Sequence, residues 1–225
     1  MTITYTFTLQ SGEVHQFDVH LERGMPPAHP NRAYAPWTRL EFQQCTNCPL
    51  KSDRFPYCPT AVDLEQIAHR FSSIKSFEKA RVEVRTPDRT YTKHCDVQTG
   101  LRALLGLIMA TSACPISSQL KGLAHYHLPF ASIEETLFRV VGAYLIKQYF
   151  VQQAGGQPDW TLASLDRYYR DLQELNTCFK GRLDAASDKD ANLNAICSLN
   201  FLSIAVASGV EDQLDRLQPR FFGGG

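Results

Sequence analysis

Ala80-Arg-Val-Glu-Val-Arg85 and Leu101-Arg-Ala-Leu-Leu-Gly-Leu-Ile-Met-Ala-Thr-Ser-Ala113 lie on either side of a change in hydrophobic period. The first alternates small or branched apolar residues with charges, the signature of a strand with one buried face. The second is apolar nearly all round apart from Arg102, which predicts a helix buried on every side. Thr86-Pro-Asp-Arg89 supplies a turn after the first, and Thr90 to His94 returns as its partner strand.

Toward the N-terminus the alternation continues. Ile3, Tyr5, Phe7 and Leu9 are interleaved with threonines. Beyond a Ser11-Gly12 turn, Phe17, Val19 and Leu21 share one face, so a second hairpin is predicted. Residues 24–36 hold four prolines and are read as irregular. Trp37 to Phe42 reads as a further strand with Leu40 and Phe42 inward, giving about five strands. Thr60 is expected to cap a helix carrying Leu64, Ile67, Ala68 and Phe71.

Beyond Gly100 the periods are helical. Ser132-Ile-Glu-Glu135 matches a capping box opening a helix to about Ala154, ended by Gly155-Gly156. A further helix from about Thr161 carries Leu165, Tyr168, Leu172, Leu175 and Phe179. Another from Asp190 to Ala207 carries Leu193, Ile196, Leu199 and Val206, with Gly209 to end it and a short helix over 211–217. The fold class is therefore α+β: antiparallel hairpins with one helix over 1–98 and a helical bundle over 99–225. The two parts are expected to share one core in one domain.

Lys plus Arg and Asp plus Glu both number 23, a balance that argues against a general nucleic-acid binder. Hydrophobic residues make up 44%, too many for a disordered chain. No signal peptide, membrane span or lipidation site is read, so a cytoplasmic location is expected. In a reducing compartment the seven cysteines point to metal or redox work rather than a disulfide scaffold.

Cys45-Thr-Asn-Cys48-Pro49 is a C-x-x-C, and Cys58-Pro59 follows in the same loop. A tight turn can aim two such sulfurs at one ion, and thiolates select zinc or a [4Fe–4S] cluster over harder ions. Cys114, also followed by proline, is the expected fourth ligand, with Cys95, His94 and His69 as alternates. Cys178 and Cys197 read as small core residues on apolar helix faces. The leading expectation is a metal-binding protein with a structural, redox-sensing or regulatory role. The competing expectation is an enzyme. An extended His125-Tyr-His127 would put both imidazoles on one side, with Glu134 or Glu135 supplying a carboxylate and Arg139 an anion site. The Phe221-Phe222 pair leaves room for a protein partner.

Cys45 to Leu50, Gly106 to Pro115 and His127 to Glu135 resemble stretches of uncharacterised bacterial proteins of about this length. The resemblance would span most of the chain and implies no activity, cofactor or catalytic residue.

Overall fold

A computed structural model describes residues 1–207 and 210–223, leaving aside the side chains of 211–213. Strand β1 (Thr2–Leu9) runs antiparallel to β2 (Val14–His20), pairing Tyr5 with Phe17 and Phe7 with His15. Strand β3 (Lys79–Arg85) lies on the other side of β1, and β4 (Thr90–Asp96) closes the sheet in the order β2-β1-β3-β4. Alternation does what it predicts. Ile3, Tyr5, Phe7, Val19, Val82 and Val84 are buried, while the threonines and charges between them take the other face.

The segment from Trp37 to Phe42 is not a strand. It begins as a 3-10 turn at Pro36–Thr38 and reverses near Gln43, whose φ of 46° lies in the left-handed region. Four strands stand where five were expected. Leu40 is buried as predicted, but the carbonyls of Trp37, Arg39 and Leu40 turn to a side chain instead of a ladder. Helix α1 (Pro59–Arg70) starts two residues earlier than a Thr60 cap would place it. Cys58 is the N-cap and Pro59 fills the first helical position, where a missing amide costs nothing. The Thr60 hydroxyl donates instead to Ser112 Oγ at 3.0 Å.

Helix α2 (Val97–Thr111) crosses the buried face of the sheet. A Cβ at Gly100 would stand 2.7 Å from the Phe7 ring and 2.8 Å from Val82, so glycine sets how closely α2 approaches the strands. A short helix α3 (Lys121–His125) precedes α4 (Ile133–Gln153). The Ser132–Glu135 capping box forms as read: the Glu135 amide donates to Ser132 Oγ, and Glu135 accepts from the Ser132 amide. Helices α5 (Ala163–Ala185), α6 (Ala191–Ala207) and α7 (Val210–Phe222) complete the chain. Tyr169, not Tyr168, occupies the buried stripe of α5. Gly209, expected to end α6, lies outside the described residues. Buried apolar side chains from the sheet and from the helices form one continuous cluster. No helix among the described residues is long and apolar enough to cross a membrane.

Candidate functional site

The loop over residues 43–58 is anchored by polar contacts at both ends. Thr46 Oγ1 donates to Glu174, and Asn47 Nδ2 donates to the Asp171 carbonyl and carboxylate, fastening the C-x-x-C to α5. The Cys48 amide donates to the Cys45 carbonyl at 3.0 Å, which is the turn a shared ion requires. At the far end the Cys58 amide donates to the Thr38 carbonyl. The Thr60–Ser112 bond ties the start of α1 to the corner after α2, where the Cys114 amide donates to Ser112 Oγ. These ties bring together cysteines from four places in the chain.

Cys45 lies within electrostatic reach of Cys58, Cys114 and Cys178, and Cys58 within reach of Cys48 and Cys114. All seven cysteines are free thiols. Burial pushes the Cys58 thiol up to about 11 and the Cys45 thiol higher still, with neighbouring cysteines adding to the rise at both. At Cys58 two features oppose it: the Arg182 cation and the Ala61 amide at the start of α1. Among the described residues, no group of three or more His, Cys, Asp or Glu side chains stands placed to hold a metal ion. The sulfurs are neighbours without forming a finished coordination shell.

Cys178 is a participant that the apolar-stripe reading missed. It is half-buried on α5, touches Cys45, and lies 3.7 Å from Glu174, the residue that also holds Thr46. Cys197 is exposed rather than in the core. The alternate ligands stand elsewhere. His94 is exposed on β4, Cys95 pairs with Ala80 across the sheet, and His69 is exposed near the end of α1.

Arg182 is the second residue that was not singled out. It is fully buried, donating Nη1 to the carbonyls of Trp37 at 2.6 Å and Arg39 at 2.9 Å, and Nη2 to that of Leu40 at 2.9 Å. Its Nε has no partner, and among the described residues no carboxylate pairs with it. Gly181 lets the loop come close, since a Cβ there would meet the Gln43 side chain at 3.2 Å. The sequence signal was present: Leu175, Phe179 and Arg182 follow three-four spacing along the buried stripe of α5.

The histidine region divides. His125 ends α3, exposed, 3.8 Å from Glu22, and Glu134 pairs with Arg220. The backbone is not extended here, because α3 precedes it and Phe130 has a φ of 63°, so the two imidazoles do not share a side. His127 turns inward, its Nε2 at 2.5 Å from the Tyr5 hydroxyl. It lines a cavity of about 370 Å³ together with Arg139. Of the four candidate catalytic residues, these two meet.

Burial, followed by the Arg139 charge, holds His127 down at about 3, against an ordinary 6.5. The unfolded chain therefore binds a proton that the folded chain refuses between these values. The stabilisation is complete above pH 6.5 and is lost as pH falls toward 3, with a slope of at most about 1.4 kcal/mol per pH unit. Urea unfolding across that range should show a component of this slope that His127→Gln removes. An unchanged slope in the variant would place the proton uptake elsewhere.

No curated protein and no solved structure matches the chain. A family model described as a domain of unknown function, DUF6901, matches residues 3–222. The chain belongs to the DUF6901 family.

Proposed function

We propose that this is a cytosolic metal-binding protein in which Cys45, Cys48, Cys58 and Cys114 hold zinc or a [4Fe–4S] cluster. The observation that carries the reading is the company these sulfurs keep. A buried guanidinium, Arg182, with no carboxylate partner among the described residues acts on Cys58, and a lone buried charge is costly unless something of opposite sign compensates it. Four neutral thiols do not. Zinc or a cluster bound by four thiolates is a net anion, and such a centre beside Arg182 would balance both charges.

Binding would draw the sulfurs the remaining distance into one shell. It would thereby lock the loop to α1 and to the corner after α2. With zinc the role is structural; with a cluster it extends to redox sensing. Elemental analysis and a visible spectrum of anaerobically purified protein test this. One zinc per chain in a colourless sample, or iron and sulfide in a brown one, is the expected result. Protein that is folded, free of both metals and unable to take up either overturns the proposal.

A further inference from the structure

The cavity shared by His127 and Arg139 is separate from the cysteine site and has a charge character of its own. It opens among α2, α4, α5 and α6, and its walls are mostly apolar, with Leu and Ala the commonest residues. Among the described residues, the charged side chains lining it are Arg102 and Arg139, and no Asp or Glu lines it. Arg139 is anchored through Nη2 to the carbonyls of Tyr126 at 2.7 Å and Leu123 at 3.2 Å, neutral partners that leave its charge uncompensated. Burial pushes Arg139 down from its ordinary value, opposed by Tyr169, Tyr91 and Glu135, and Glu135 is committed to the capping box. Arg102, half-buried on α2, has no hydrogen bond or ion pair among the described residues. Asn176 and Ser203, hydrogen-bonded to each other at 3.0 Å, add a small polar spot to an otherwise apolar wall.

An apolar chamber of this size between packed helices is the usual form of a small-molecule site, and the few polar groups in its wall select the ligand. Two arginines without a facing carboxylate select an anion, because a planar carboxylate accepts two parallel bonds from one guanidinium. The apolar remainder selects the body of that anion. We infer that this cavity binds a medium-chain fatty carboxylate, its head group on Arg102, its chain between α2, α5 and α6, and Arg139 adding positive charge to the same wall.

The test is titration calorimetry on the full chain with decanoate and, separately, decanol, both below their aggregation limits. Decanoate should bind saturably with one site per chain, at least about tenfold more tightly than decanol. Arg102→Met keeps the apolar stem and breaks no internal contact, so it should fold normally and weaken decanoate by about tenfold while leaving decanol unchanged. Arg102→Lys should recover part of the loss. Equal binding of acid and alcohol, no saturable decanoate binding, or an Arg102→Met variant that binds decanoate as the parent does would each overturn the inference. Because Arg102 belongs to neither the cysteine loop nor its ties, failure here would leave the metal content untouched.

Discussion

Replacing Arg182 with methionine should destabilise the protein by about 3–5 kcal/mol in urea unfolding, although the substitution removes a charge that has no carboxylate partner. Methionine retains the apolar stem against Phe179, whose ring the guanidinium faces at 5.8 Å. What disappears is the fork that serves the carbonyls of Trp37, Arg39 and Leu40. Those oxygens have no sheet ladder to turn to, and each buried acceptor left without a donor costs roughly 1–3 kcal/mol. Lysine should rescue little, because a single ammonium cannot reproduce the planar geometry that reaches three acceptors. The same substitution should also reduce metal retention, since it removes the counter-charge of the proposed centre. A loss below about 1 kcal/mol would show that water serves those carbonyls and that the guanidinium does not organise the loop.

Cys58→Ser should abolish metal binding and lower the thermal midpoint in the same variant. A serine hydroxyl is a poor ligand for a soft ion, and a structural zinc site contributes its binding free energy directly to folding, on the order of 10 kcal/mol in small zinc-dependent peptides. Cys58 is the informative position because it is both the N-cap of α1 and an electrostatic neighbour of Cys48 and Cys114. Serine is a favoured residue at an N-cap, so a fall in stability in this variant cannot be assigned to a lost cap. Cys178→Ser is the control. Cys178 touches Cys45 but leans toward Glu174, so that variant should keep its metal. Metal-to-protein ratios for the two variants, measured with their melting curves, check this. Loss from Cys178→Ser and retention in Cys58→Ser would reassign the ligand set.

The parts of this fold that could be read from sequence are those whose stability is local. The hairpins were legible because each strand buries one face only, so alternation survives in the sequence of Thr2–Leu9 and Lys79–Arg85. The Ser132–Glu135 box was legible because its two bonds close within four residues. Trp37 to Phe42 imitated a strand for the same reason that Leu40 is buried. What prevents a ladder there is Arg182, some 140 positions away in the chain and reaching those carbonyls only after α5 has docked. The histidine pair was misread because a five-residue helix, Lys121–His125, carries too little periodicity to show itself.

The site divides along the same line. Cys45, Cys48 and Cys58 were singled out by their spacing, and Cys114 by its place after a buried helix with a following proline. Their shared neighbourhood follows from the Thr60–Ser112 tie and the Asn47–Asp171 contacts, tertiary bonds that no local pattern announces. Cys178 looked like filler because a helix stripe says which face is inward but not what stands opposite. Arg102 was passed over as an interruption in an apolar run. It became informative once the helices around it enclosed a cavity with no acid in its wall among the described residues.

X-ray absorption at the edge of the metal bound to purified protein tests the central claim most directly, because it counts the ligand atoms by element. A first shell made of sulfur, at about 2.3 Å if the metal is zinc, is the expected result. A shell dominated by nitrogen or oxygen would contradict the account, since it would mean that Cys45, Cys48, Cys58 and Cys114 do not close around the ion.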